Sequence, residues 1–202
     1  MIPESLLDVP RLPEVSVESA CRTAPVSGEL RQSTLAARIS VVGVSGAGKS
    51  TVARLAAARL RIPYVELDAI HHAANWTEIP VVELRRIVTE LVAGEAWVID
   101  GNYRKVRDLI WGRATTVVWV DPSRSAVMGQ VIWRSLLRVV TRQELWRGNR
   151  ERISKWVDPE HPIRWAWRTY SLQRAEHESL MAPHWVRLRS RRDVRRWLDS
   201  LS

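Results

Sequence analysis

Cysteine is almost absent from the 202-residue sequence, which contains only Cys21. A single cysteine excludes an intramolecular disulfide and a cluster of cysteine metal ligands. Long hydrophobic runs are also missing, and no stretch reaches the length needed to cross a bilayer. The N-terminal residues are acidic and contain prolines, so they do not follow the basic-then-apolar pattern of a signal peptide. We therefore expect a cytoplasmic protein with no membrane partner.

Lysine is scarce as well, because 28 of the 31 basic residues are arginine. The net charge of +9 is spread unevenly: residues 1–100 hold ten basic and twelve acidic residues, whereas residues 101–202 hold twenty-one and ten. Arginine binds phosphate through a planar, two-pronged guanidinium. Biased base composition of the gene is one source of so much arginine, but the asymmetry predicts an anionic ligand facing the second half. That ligand is either a nucleotide or a nucleic acid.

The stretch GVSGAGKST, residues 43–51, fits the P-loop pattern G-x-x-x-x-G-K-[ST]. A β-branched run precedes it and a helix-like run follows it, which is the strand–loop–helix context that the motif requires. In such loops backbone amides and a helix N-terminus surround the phosphates, the lysine contacts the β and γ phosphates, and the first hydroxyl contacts Mg²⁺. We therefore predict ATP and Mg²⁺ as cofactors. The nucleotide-binding residues would be Gly43, Ser45, Gly46, Ala47, Gly48, Lys49, Ser50 and Thr51.

Strand and helix patterns alternate from residue 38 onward. The predicted strands are 39–44, 64–67, 96–100, 116–120 and 185–188, and the predicted helices are 49–60, 80–93, 103–110, 124–140, 163–181 and 191–200. This order predicts an α/β P-loop NTPase fold, a five-stranded parallel sheet flanked by helices on both faces. Residues 1–37 are expected to be a flexible leader and 38–202 one P-loop domain, with a mobile arginine-rich insertion at 141–162.

Four residues fall where predicted strands end: Gly43, Asp68, Asp100 and Asp121. Ligands of parallel sheets bind at the carboxyl ends of the strands, so these positions are expected to surround the ligand. Helix capping is the structural alternative for Asp68 and Asp100. Asp121, which precedes a proline, is expected to cap the 124–140 helix.

Several of these segments together resemble the DNA topology modulation proteins, predicted kinases related to adenylate kinase. The resemblance covers about residues 38–202 and rests on the P-loop, "VELDAI…NW", "WVIDGNYR", the arginine-rich insertion and "RLRSRRDVRRWL". In the related adenylate kinases a D-G-x-x-R element supplies an aspartate to the Mg²⁺ water shell and an arginine to the acceptor phosphate. The match implies these roles for Asp100 and Arg104. In related small-molecule kinases a strand-end aspartate orients or deprotonates the acceptor hydroxyl, which the resemblance implies for Asp68; helping to position metal is its other possible role. The resemblance further implies that 38–202 is a kinase-like domain in which 68–95 binds the acceptor and 141–162 is a lid. The sequence has Asn102-Tyr103 where adenylate kinases have Phe-Pro, which weighs against AMP as acceptor.

The predicted lid and its flanks contain six arginines: Arg134, Arg138, Arg142, Arg147, Arg150 and Arg152. In phosphoryl transfer, arginines of a closing lid neutralise charge on the equatorial oxygens and help to exclude water. We assign this role to Arg138 and Arg142 because they border the insertion. The predicted catalytic residues are then Lys49, Asp100, Arg138 and Arg142. His71 and His72 are expected to line the acceptor pocket or face solvent, and Trp76 to pack.

Three functions compete at this point. The first is an ATP-dependent kinase, adenylate kinase-like, that transfers the γ-phosphoryl of ATP to a nucleotide or small-molecule acceptor. The second is a nucleotide-dependent DNA-binding protein without metabolic kinase activity, which the basic second half and its interleaved tryptophans favour. The third is an ATPase or GTPase switch. The guanine-reading N-K-x-D motif is absent, so GTP is not expected, and the kinase is the preferred hypothesis.

Overall fold

The computed structural model describes residues 21–22, 37–71, 79–141 and 162–201. These residues form a sheet whose five parallel strands are β2 (Arg38–Val42), β3 (Tyr64–Glu66), β4 (Trp97–Asp100), β5 (Thr116–Val120) and β6 (Trp185–Leu188). A two-residue strand, β1 (Cys21–Arg22), pairs antiparallel with β3. The strand order is β1-β3-β4-β2-β5-β6, so β2 lies in the middle of the sheet between β4 and β5. The predicted parallel sheet of five strands is confirmed.

The helices of the described part of the chain are α1 (Lys49–Leu60), α2 (Leu67–His71), α3 (Val81–Val92), α4 (Arg107–Trp111), α5 (Arg124–Thr141), α6 (Pro162–Ser179) and α7 (Arg191–Asp199). A short 3-10 turn, Arg104–Val106, precedes α4. Within these ranges, no helix combines the length and the apolar character needed to span a bilayer.

Hydrophobic residues pack on both faces of the sheet, as the buried central strands require. On one face α1 places small side chains such as Ala53 and Ala56 against Val41 and Val118, so the helix lies close to the sheet. On the other face Leu84 and Ile87 of α3 belong to a core cluster with strand residues of β3 and β4. The central strand β2 is therefore covered on both sides, and its carboxyl end opens directly into the P-loop.

Two predictions about local structure need correction. The chain after β3 enters helix α2 at once, where a strand reaching residue 67 and then a loop were predicted; Asp68 thus lies in the first turn of a helix. The segment predicted as an unstructured leader contributes β1 to the sheet edge, and its remaining residues apart from Ala37 lie outside the described residues. A two-residue strand is too short to leave an alternating pattern in the sequence.

Candidate functional site

The P-loop, residues 43–51, connects β2 to α1 in the arrangement that the sequence predicted. Gly43, Gly46 and Gly48 have positive φ angles of 145°, 82° and 93°, a region that favours glycine. A Cβ atom at Gly43 would collide with the carbonyl oxygen of Val120, and one at Gly46 would collide with a methyl group of Val131. The motif glycines are therefore required both by backbone conformation and by the close approach of β5 and α5.

Gly48 occupies the cap position of α1, and among the described residues no side chain caps this end of the helix. The first turn contains no acidic residue. The amino end of the helix dipole is therefore suited to an anion. Lys49 Nζ donates to the carbonyl oxygen of Val44 at 3.2 Å. The lysine side chain therefore folds back over the P-loop, where a phosphate is predicted to bind.

Asp100 ends β4, beside the P-loop strand, and only 4% of its surface is exposed. Its Oδ1 atom has no hydrogen-bond partner within the part of the chain that the structure describes. Burial raises the pKa of Asp100, while Lys49 and the Ser50 hydroxyl act to lower it. Tyr103 occupies the cap position of the helical turn that follows, so Asp100 is not the helix cap that was its structural alternative. A buried carboxylate oxygen without a donor is suited to a cation or its hydration water.

Asp68 lies in the first turn of α2, the helix that follows β3. Its Oδ1 atom accepts a hydrogen bond of 2.7 Å from the hydroxyl of Tyr103. The negative charge of Asp68 also contributes to the raised pKa of Asp100, so the two carboxylates interact electrostatically. Asp68 is the second residue of α2 rather than the residue before it, which places it inside the first turn and not at the cap.

Asn102 connects the loop after β4 to the start of the P-loop. Its Oδ1 atom accepts from the Gly43 amide at 3.1 Å, and its Nδ2 atom donates to the Gly43 carbonyl oxygen. Sequence reasoning noticed Asn102-Tyr103 only as a departure from Phe-Pro and gave neither residue a role. The signal in the sequence was that both residues carry polar groups and lie two and three positions after a strand-end aspartate.

Arg104, the predicted acceptor-binding arginine, is largely exposed, with 73% of its side chain accessible. Its Nη2 atom lies 2.5 Å from Oε2 of Glu176 on α6. Arg107, which the sequence did not single out, pairs with the other oxygen of Glu176 at 2.9 Å and is more buried. Glu176 therefore holds two arginines, and the predicted contact of Arg104 with an acceptor stays a prediction.

The prediction that Asp121 caps α5 is wrong. Asp121 is buried, and its Oδ2 atom accepts two hydrogen bonds from Arg187, at 2.9 and 2.7 Å. Arg174 lies 3.2 Å from Oδ1. At the start of α5 the side-chain contact comes instead from Ser123, whose hydroxyl accepts from the Ala126 amide at 3.4 Å. Two neutralising arginines make Asp121 a structural carboxylate, unlike Asp100.

A cavity of about 700 Å³ opens beside the P-loop between α5 and the turn that leads into α7. Its lining includes Gly48, Thr51, Gln130, Trp133, Arg189 and Arg191. The cavity is continuous with the loop through Gly48 and Thr51, and it carries an exposed aromatic ring and two arginines. Its volume and composition are typical of a ligand pocket.

The remaining predicted residues are placed only in part. Arg138 lies within helix α5, and Arg142 and the rest of the predicted lid up to residue 161 lie outside the described residues. His72, Asn75 and Trp76 lie outside them too. His71 is buried, with its ring edge-to-face against Tyr103 at a centroid distance of 4.6 Å. Of its two predicted places, solvent is therefore excluded, and the acceptor pocket stays a prediction.

Comparison with known proteins yields no matching family model. A shikimate kinase from Bradyrhizobium diazoefficiens is 40% identical over 81 residues, which make up 40% of this chain and 36% of that protein. A protein of Thermococcus onnurineus named "Putative adenylate kinase" is 38% identical over 71 residues, 32% of this chain and 39% of that protein. The matched region thus spans little more than a third of either curated relative.

Solved structures resemble the whole fold more broadly. A shikimate kinase from Acinetobacter baumannii in complex with shikimate has a TM-score of 0.53 and 17% identity, with 82% of this chain and 90% of that one covered. A shikimate kinase from Bacteroides thetaiotaomicron has a TM-score of 0.51 and 14% identity, with 82% and 96% covered. None of these relatives is named as a DNA topology modulation protein, and that part of the resemblance stays a prediction. The chain has the α/β fold of P-loop NTPases, and its sequence is similar to segments of P-loop kinases.

Proposed function

We propose that the protein is an ATP-dependent phosphotransferase that transfers the γ-phosphoryl of ATP to a hydroxyl group of a small molecule. One observation carries the proposal: a P-loop and two carboxylates with different surroundings meet at one edge of the sheet. Asp100 is buried and has a carboxylate oxygen to which none of the described residues donates, whereas Asp68 is held by a tyrosine hydroxyl. Carboxylates in different environments suit different tasks, here the metal side and the acceptor side.

The nucleotide side would use the P-loop and the cavity beside it. The amides of residues 43–51, the amino end of α1 and the Lys49 ammonium would hold the phosphates. The nucleoside would enter the 700 Å³ cavity, with Trp133 as a stacking surface at its wall. Mg²⁺ fits the residues present, because Ser50 offers a hydroxyl and Asp100 an unpartnered carboxylate oxygen. When bound, the metal ion supplies neutralisation of charge on the phosphate oxygens.

The acceptor side favours a hydroxyl over a phosphate. Tyr103 occupies one oxygen of Asp68, and we assign the other oxygen to the acceptor hydroxyl. The acceptor oxygen would attack the γ-phosphorus while Asp68 takes its proton, and the bond from the γ-phosphorus to the bridging oxygen would break to release ADP. Arg104, the arginine that would grip an acceptor phosphate, is exposed and already paired with Glu176. A hydroxylated metabolite therefore fits this geometry better than AMP.

The lid arginines complete the proposal. Arg138 and Arg142 are assigned to the transferring phosphoryl group, because they border the insertion and because charge on the equatorial oxygens needs a cation that arrives as the site closes. The DNA-binding alternative gains no support from the relatives, which are kinases by name.

Phosphorus NMR of Mg²⁺-ATP tests the proposal directly. The protein is incubated with ATP alone, with pooled polyols, sugars and sugar acids, and with pooled nucleoside monophosphates. We expect a new phosphomonoester signal and ADP only with the hydroxyl pool, and neither with Lys49→Ala. Transfer to the nucleoside monophosphates would replace the hydroxyl acceptor by a phosphate acceptor. ATP consumption that no pool accelerates would refute the phosphotransferase.

A further inference from the structure

Residues 100–103 run between the two halves of the proposed site and contact both. Asp100 ends β4 on the metal side, and the Gly101 amide donates to the Val41 carbonyl oxygen of β2 at 3.3 Å. Gly101 has a φ of 143°, and a Cβ atom there would lie 2.9 Å from Cβ of Leu67, the first residue of α2. The segment is therefore packed tightly between the strand that leads into the P-loop and the helix that carries Asp68.

The next two side chains point their polar atoms in different directions. Asn102 makes a two-way amide contact with Gly43, accepting from its N–H and donating to its carbonyl oxygen. Gly43 is the first residue of the P-loop, and its positive φ leaves its peptide groups outside the pairing of β2. Tyr103 donates its hydroxyl to Asp68 and rests its ring against His71. The adjacent residues Asn102 and Tyr103 thus hold the start of the P-loop and the Asp68 carboxylate, respectively.

We propose that Asn102 and Tyr103 are positioning residues that set the phosphate-binding loop and the Asp68 carboxylate at a fixed separation. The Tyr103 part rests on the proposed function, because it gives Asp68 its role toward an acceptor hydroxyl. The physical reason is that phosphoryl transfer depends on placing the attacking oxygen in line with the phosphorus, and small displacements cost large factors in rate. Neither side chain needs to touch a substrate for this role.

The nucleotide half is tested by Asn102→Ala. Truncation leaves the Gly43 N–H and carbonyl oxygen without their partner, so the loop loses its fixed start. We expect the Kd for Mg²⁺-ATP, measured by titration calorimetry, to rise about 10- to 100-fold. The urea midpoint is measured on the same samples, and affinities are compared where each protein is fully folded. An unchanged Kd in folded Asn102→Ala would overturn this half, with or without a known acceptor.

The acceptor half is tested by Tyr103→Phe, which removes only the hydroxyl and keeps the ring against His71. We expect kcat for transfer to the hydroxyl acceptor to fall about 10- to 100-fold. The Kd for ATP should stay within about twofold, since the hydrogen bond that is removed is the one to Asp68. In the Asp68→Asn background the same substitution should have almost no further effect on transfer.

A matched control comes from Tyr170→Phe, which removes a tyrosine hydroxyl that donates to the Pro122 carbonyl oxygen at 3.0 Å. It should leave the ratio of transfer to hydrolysis unchanged, whatever it does to stability. If the wild type is active, either of two results would overturn the acceptor half alone. One is normal transfer by the Tyr103→Phe variant, and the other is independent effects of Tyr103→Phe and Asp68→Asn. Absence of transfer by the wild type would refute the proposed function and the acceptor half together, while the Asn102→Ala affinity still decides the nucleotide half.

Discussion

Asp121→Asn separates the structural carboxylate of this site from the functional one. Asp121 directly follows β5 at the same edge of the sheet as Asp100, so sequence position alone does not distinguish them. In the folded chain Asp121 is 3% exposed and accepts two hydrogen bonds from Arg187, which is 13% exposed. The Arg187 guanidinium also lies 4.0 Å from the centre of the Trp119 ring. Replacing the carboxylate by an amide therefore leaves a desolvated guanidinium without its principal counter-charge.

The size of the effect follows from these contacts. Removing one partner of a buried ion pair typically costs about 3–5 kcal/mol. Here the asparagine oxygen still accepts a hydrogen bond, and Glu178 remains 3.0 Å from Arg187, so we expect a loss of about 2–4 kcal/mol. For a chain of 202 residues this corresponds to a decrease in Tm of roughly 4–16 °C. Glu178→Gln is the control: that side chain is 58% exposed, so its loss should cost about 0–1 kcal/mol.

Urea unfolding followed by tryptophan fluorescence gives the free energy of unfolding, and calorimetry gives the ATP affinity of each variant. Asp121→Asn should lose stability and keep its affinity for Mg²⁺-ATP within about threefold when folded. Asp100→Asn should instead keep its stability and lose affinity for Mg²⁺-ATP. Its Oδ1 atom accepts no hydrogen bond from the described residues, so the substitution breaks no such bond there. A loss below about 1 kcal/mol for Asp121→Asn, or a collapse of its ATP affinity, would refute the distinction between the two aspartates.

Three further predictions rest on other parts of the site. Burial lowers the pKa of His177, so the unfolded chain binds the proton more readily than the folded chain. Stability should therefore fall as the pH drops below about 6.5. Urea midpoints from pH 8 to pH 5 should show this decline, and His177→Phe should flatten it. Lys49→Ala should abolish transfer in the phosphorus NMR assay, and residual transfer above about 1% of wild type would contradict the assignment of the lysine. Trp133→Ala should weaken ATP about 5- to 50-fold in calorimetry if the ring stacks on the base, and an unchanged Kd would exclude the cavity as the nucleoside site.

The fold could be predicted largely from the sequence because its signals are local. Strand β5 and helix α1 occupy the predicted residues 116–120 and 49–60, since a β-branched run and a glycine before a helical period mark their ends. The errors have local causes as well. Helix α2 is only five residues long and follows β3 without a break, so it is too short to produce a helical hydrophobic periodicity in the sequence.

Within the site, the sequence determined the P-loop, the positions of the strand-end aspartates and the positive charge of the second half. Only the tertiary structure decided what those groups contact. Asp121 is neutralised by Arg187, which is 66 residues away, and Tyr103 holds Asp68 from a distance of 35 residues. Periodicity and propensity describe neighbours along the chain, whereas hydrogen bonds and ion pairs depend on which strand ends the sheet brings side by side. The motif could therefore be read from the residues alone, but the different surroundings of the three aspartates depend on partners that only the folded chain brings to them.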